Sequence, residues 1–155
     1  MKTIYLVRHG DVENPAGVFY TSEYQLSQKG VEDVQAFAKR LDEAGIRPLK
    51  MISPPAVRTR ETAEIIAQTL GLSVDTDERL LEWNVGPWFG KPLQEFRQAA
   101  GYLDPGPFKL KLTDVESFDE LSARVIAVIQ EQLASIPEDG KVMLVSHREP
   151  MVSAI

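Results

Sequence analysis

Two stretches decide the fold: Thr3–Gly10, TIYLVRHG, and Lys141–His147, KVMLVSH. In the first, the run Thr3 to Val7 is β-branched and aromatic, which suits a buried strand better than a helix. In the second, Lys141 to Ser146 is another short apolar run of the same character. Each run ends in a polar residue and a histidine. Apolar runs this short, separated by long amphipathic stretches, predict an α/β fold with a mostly parallel sheet.

The stretches between them read as helices. From Ser27 to Gly45, Val31, Val34, Phe37, Ala38 and Leu41 recur on one face at helical spacing, and Gly45 is a C-terminal stop. Leu49 to Ser53 is a second short strand candidate. Ala56 to Leu70 is a second helix, with Ala63, Ile66, Ala67 and Leu70 inward and Gly71 closing it. Ser117 opens a third; Glu120 completes a capping box, and Leu121, Val125, Val128 and Ile129 form the apolar stripe. Between these, Trp83 to Pro107 is rich in Gly and Pro and reads as an irregular excursion over one end of the sheet. Excursions of that length are commonly functional.

Composition sets the frame. The 155 residues, 43% apolar and 26% charged, suit one domain spanning 1–155, and no linker or internal repeat divides them. The net charge of −6 argues against nucleic-acid and membrane-surface partners, both polyanions. It leaves room for a small cationic pocket. The absence of cysteine removes disulfides, thiolate metal sites and thiol nucleophiles together. The opening MKTIYLVRHG is too short in apolar residues for a signal peptide, and no stretch approaches a membrane span, so a cytoplasmic protein is expected.

The chemistry rests on two histidines, the only ones in the chain, and both directly follow strand runs. Ligands of open α/β sheets bind beyond the carboxyl ends of the strands. If the two strands are neighbours, His9 and His147 share one crevice. Arg8 ends the first strand, where an unpaired buried charge would be unusual; Arg58 lies near the start of the second helix. Guanidinium forks match phosphate oxygens, and a helix amino terminus adds partial positive charge. Taken alone, Arg58 would read as a solvated surface charge. No GxxxxGK[ST] loop occurs, and two histidines with scattered carboxylates offer no metal-ligand spacing, so neither a metal nor a cofactor is expected.

These residues sit in motifs that resemble the histidine phosphatase superfamily, the phosphoglycerate-mutase-like group. LVRHG at 6–10 is similar to the strand-end motif of that family, LSQKG at 26–30 to its helix start, and RTRETA at 58–63 to its second arginine segment. Glu82, followed by Gly86, Trp88 and Gly90, resembles its acidic loop, and LVSH at 144–147 its second histidine motif. The resemblance implies a three-layer fold, helices flanking a mostly parallel central sheet. It implies that His9 attacks phosphorus to form a phosphohistidine, and that Arg8, Arg58 and His147 hold the phosphoryl oxygens. Glu82 would protonate the leaving oxygen and then help activate water. It also offers Asn14 as a phosphate-side amide, although a turn role before Pro15 suits it equally.

The chain departs from the family pattern in several places. Aligned on Arg58 without a gap, Pro54 takes the place of a serine, with Ser53 adjacent. Tyr20-Thr21-Ser22 lacks a customary glycine. Arg148-Glu149-Pro150 follows the second histidine where glycine is common; Arg148 either adds charge at the pocket rim or points to solvent. PMVSAI stops where relatives begin a further helix, which suggests either a truncated chain or a homodimer covering that sheet face. The aromatics Trp83, Trp88, Phe89, Phe96 and Tyr102 either shape the leaving-group side or form the excursion's own small core. Four functions fit: a phosphatase of small phosphorylated metabolites, foremost; a phosphoglycerate mutase; a protein-phosphohistidine phosphatase; and a catalytically silent phosphate-binding module.

Overall fold

The computed structural model describes residues 1–99 and 113–155. Its centre is a four-stranded sheet of β1 (Thr3–Arg8), β2 (Lys50–Ser53), β3 (Val74–Thr76) and β4 (Lys141–Ser146). All pairings are parallel, in the order β1-β4-β2-β3. The helices are α1 (Gln28–Glu43), α2 (Val57–Leu70), α3 (Leu93–Ala99), α4 (Phe118–Ser135) and α5 (Arg148–Ser153).

β4 lies between β1 and β2 and is buried on both faces, which is why KVMLVS reads as a continuous apolar run rather than an alternating one. Its side chains still divide by parity. Val142 and Leu144 point to the layer of α4, packing with Leu121, Val125 and Val128. Met143 and Val145 point to the layer of α1 and α2, packing with Val34, Ala38, Ala63 and Ile66. Full burial of such side chains stabilises by about 1.5–3 kcal/mol each. The three-layer expectation is met. In α1 the inward face is Gly30, Val34, Ala38 and Leu41, with Val31 and Phe37 only partly buried.

The helix ends follow local chemistry. The Ser27 hydroxyl accepts from the Gly30 amide to start α1, and Gly45 takes a φ of 67° just beyond its end. Ser117 and Glu120 form the full capping box of α4. Three elements differ from the sequence reading. Residues 74–76 form a strand although two of the three, Asp75 and Thr76, are polar, because β2 supplies a parallel ladder through Met51, Ile52 and Ser53. The excursion is not wholly irregular: a single 3₁₀ turn at Gly86–Trp88 is followed by α3, anchored by the buried Phe96. The last residues already form α5, which starts at Arg148. Tyr102 and Pro107 lie outside the described residues. Among those described, no helix is long and apolar enough to cross a membrane.

Candidate active site

β1 and β4 are paired in register, Arg8 opposite Ser146, so the residues that follow them leave the sheet side by side. The His9 amide donates to the Ser146 carbonyl at 3.1 Å, extending the ladder by one bond. The His9 and His147 rings then meet edge-on with centroids 5.3 Å apart. Both are buried, His147 fully.

The turn after His9 is pinned from two helices. The Gly10 amide donates to Thr62 Oγ1 at 3.0 Å, and that hydroxyl donates to the Arg58 carbonyl at 2.8 Å, so one α2 side chain ties the His9 turn to α2. On the α1 side, Gly30 lets the backbone of Asp11 approach: a Cβ there would lie 2.2 Å from the Asp11 carbonyl oxygen. Asp11 also receives the Ser27 hydroxyl at 2.7 Å. The glycines and serine of LVRHG and LSQKG thus lock the histidine turn against α1.

Partner chemistry sets the tautomers. His9 Nδ1 lies 2.7 Å from the Gly10 carbonyl, which can only accept, so Nδ1 carries the proton and Nε2 keeps its lone pair. His147 Nδ1 lies 3.2 Å from Arg58 Nη2, which can only donate, so the proton of His147 sits on Nε2. Arg58 is itself buried, with Nη1 donating to the Thr21 carbonyl at 2.8 Å and its guanidinium 5.0 Å from the Tyr20 ring. Among the described residues, three buried side-chain polar atoms lack a partner, and two of them are Arg58 Nε and His147 Nε2. Unpaired buried donors are costly. An anion held between Arg58 and His147 would satisfy both.

Burial dominates the protonation states. It pushes His9 down to about 4, with Arg58 and Arg8 adding to the effect against the Gly10 hydrogen bond. It pushes His147 down to about 2, again with Arg58 assisting. Both imidazoles are neutral near pH 7. Burial, then the Glu149 carboxylate, raises Glu82 to about 8, against the Trp83 amide and the two arginines. Glu82 Oε1 accepts from the Trp83 amide at 2.9 Å, and Oε2 lies 3.8 Å from His147 Nδ1. Near pH 7 the site therefore holds a protonated acid beside a neutral imidazole with a free lone pair.

The remaining candidates are placed differently. Arg8 is exposed, contrary to the expectation of a buried charge: the strand ends one residue before the chain turns inward, so its side chain emerges at a cavity rim. That cavity, about 250 Å³, is also lined by Glu82, Asn14 and Arg148. The Asn14 amide is committed to Val18, donating to its carbonyl at 2.8 Å and accepting from its amide at 3.1 Å, which is the turn role. Arg148 pairs with Glu149 at 3.0 Å at the rim. The Ser53 hydroxyl is buried against the Pro54 carbonyl, so it does not substitute for the serine that Pro54 displaces. Of the aromatics, Trp83 and Phe96 belong to the main core with Leu121, Val125 and Val142 rather than to a small core of the excursion's own, Trp88 packs edge-on against Phe96, and Trp83 and Phe89 line the cavity. Among the described residues, no three of the side chains that commonly bind metals cluster together.

The motif order, the paired strand ends and the two converging histidines find their counterpart in a family model, that of the histidine phosphatase superfamily (branch 1), which matches residues 4–155. The chain belongs to the histidine phosphatase superfamily. A protein named probable phosphoglycerate mutase GpmB, from Escherichia coli, is 35% identical over 153 residues, covering 95% of this chain and 70% of that one. Among solved structures, Bacillus stearothermophilus YhfR superposes with a TM-score of 0.87 at 25% identity, over 99% of this chain and 78% of the other. A mycobacterial glucosyl-3-phosphoglycerate phosphatase superposes with a TM-score of 0.79 at 27% identity, over 96% of this chain and 74% of the other. Within this family fold, four side chains at the site were not singled out from the sequence. Thr62 lies one turn after Arg58 within RTRETA, a helical spacing that could have revealed it. Tyr20, Glu149 and Arg97 reach the site through loops and short helices, with no sequence periodicity to announce them.

Proposed function

We propose that the chain is a phosphomonoester hydrolase of small phosphorylated metabolites that works through a phosphohistidine at His9. The observation that carries this reading is the His9 Nε2 lone pair, held by the Nδ1–Gly10 bond next to two unpaired buried donors, Arg58 Nε and His147 Nε2. A phosphoryl group entering there meets a nucleophile on one side and fixed donors on its oxygens.

In the first step His9 Nε2 bonds to phosphorus, the ester P–O bond breaks, and Glu82 gives its proton to the departing oxygen. In the second, water attacks the phosphohistidine and its proton passes to the Glu82 carboxylate. The P–N bond then breaks, releasing inorganic phosphate with His9 and Glu82 restored. Arg58 and His147 hold the phosphoryl oxygens throughout, and Arg8 adds charge from the rim. Monoester hydrolysis is among the slowest uncatalysed reactions, with accelerations up to about 10²¹-fold, so a covalent nucleophile and an acid are both needed.

A panel of phosphomonoesters assayed on wild type and His9→Ala tests this. Turnover that disappears in the variant supports the reading; comparable turnover in the two removes it. The likeness to a probable phosphoglycerate mutase keeps one second reading, return of the phosphoryl group to another hydroxyl. Interconversion of phosphoglycerates without phosphate release would favour the mutase.

A further inference from the structure

The cavity beside Glu82 combines apolar and cationic lining in a way that specifies a leaving group. Its apolar lining includes Val18, Phe19, Val85, Phe89 and Leu93. Phe89 is 37% exposed and lines the cavity edge, whereas its neighbour Trp88 meets Phe96 inside the excursion. The same cavity is lined by Arg8, Arg97 and Arg148 and by the carboxyls of Glu82 and Glu149. In a chain of net charge −6, this is a local excess of positive charge.

The three guanidinium groups are not equivalent. Arg8 ends β1 directly beside His9 and serves the phosphoryl group. Arg148 is answered by Glu149 at 3.0 Å. Arg97, on the outward side of α3, has no acceptor among the described residues, yet it lines both this cavity and a smaller adjoining one of about 120 Å³. Phe96, the buried residue before it, fixes α3 against Trp83, Trp88 and Phe19, so Arg97 is carried on an anchored helix. The adjoining cavity shares Arg97 but not Arg8 or Glu82, so a cation left unmatched there fits a second negative charge on the ligand, away from the reacting ester.

We infer that the preferred substrates are monoesters whose leaving group has an apolar body about the size of one ring and bears a second anion, such as a carboxylate, at the end away from the ester. Phe89 and Val18 contact the body; Arg97 binds the anion. The inference rests on the phosphatase reading above and names the substrate class of that same site.

The test uses matched alkyl esters, so that chemical reactivity stays constant: benzyl phosphate, 4-carboxybenzyl phosphate and glycerol phosphate. In wild type, kcat/KM for the carboxybenzyl ester exceeds that for the benzyl ester by about tenfold, the effect of one charge-assisted contact. In Arg97→Met that ratio falls to near one. Benzyl phosphate exceeds glycerol phosphate by a similar factor, and Phe89→Ala shrinks this second ratio. Equal rates for the charged and uncharged esters in wild type, or a charge preference that survives Arg97→Met, overturn the inference. Binding of the corresponding non-hydrolysable phosphonates, measured by calorimetry, reads the same ratios without turnover. Absent turnover with discriminating phosphonate binding would refute the phosphatase reading while upholding this one. Turnover without discrimination would do the reverse.

Discussion

Replacing Glu82 with glutamine should make the protein more sensitive to acid, although it removes a carboxyl group and leaves its shape. The fold keeps the Glu82 proton up to about 8, whereas the unfolded chain releases it near 4.5, so Glu82 adds stability as pH falls through that window. The histidines act oppositely. Folded His9 and His147 resist protonation down to about 4 and about 2, while unfolded they take a proton near 6.5, so stability is lost as pH falls below 6.5. From pH 6.5 to 5 the two histidines together cost about 3 kcal/mol, and Glu82 returns about 2 kcal/mol of it. These three groups therefore leave wild type about 1 kcal/mol less stable at pH 5, and Glu82→Gln about 3 kcal/mol less stable. Urea unfolding of both proteins at pH 6.5 and 5 measures the difference, and the surface carboxylates, common to both, cancel. An equal loss of stability in the two proteins would refute a protonated, partly buried Glu82.

The same protonation states predict a bell-shaped kcat/KM, rising through the His9 titration near 4 and falling through that of Glu82 near 8; a profile flat from pH 6 to 10 would contradict the acid role. Gly30→Ala should destabilise by at least about 1–3 kcal/mol, because its Cβ would meet the Asp11 carbonyl at 2.2 Å, whereas chevron or melting data showing no change would mean the turn is slack. Thr62→Val leaves the Gly10 amide without its acceptor; a loss of about 1–3 kcal/mol in denaturant unfolding, with a fall in kcat, is expected.

What the sequence disclosed and what it concealed follow from range. β1 and β4 are readable because both are short runs of strand-forming residues, and β4 is apolar on both faces. α1, α2 and α4 are readable because two or more turns repeat one apolar face, with Ser27, Gly71 and the Ser117–Glu120 box marking ends. β3 is three residues, two of them polar, and exists through its neighbour's ladder. α3 is two turns held by a single buried ring, hidden among glycines and prolines. The histidine pair and Arg58 converge as their motifs imply, because each is fixed by the end of a regular element. Arg8 emerges where the strand end meets solvent, and Asn14 spends its amide on a local turn; neither outcome is encoded in spacing. Tyr20, Arg97 and Glu149 reach the cavity only through tertiary packing.

The proposed reaction turns on His9 Nε2 taking the phosphoryl group. Rapid alkaline quench during turnover of a radiolabelled monoester, followed by peptide mapping, tests it directly, since phosphohistidine survives base. Label on His9 in wild type, with none on His147 and none at all in His9→Ala, is the expected result. Label on His147, or steady phosphate release with no labelled histidine, would contradict it.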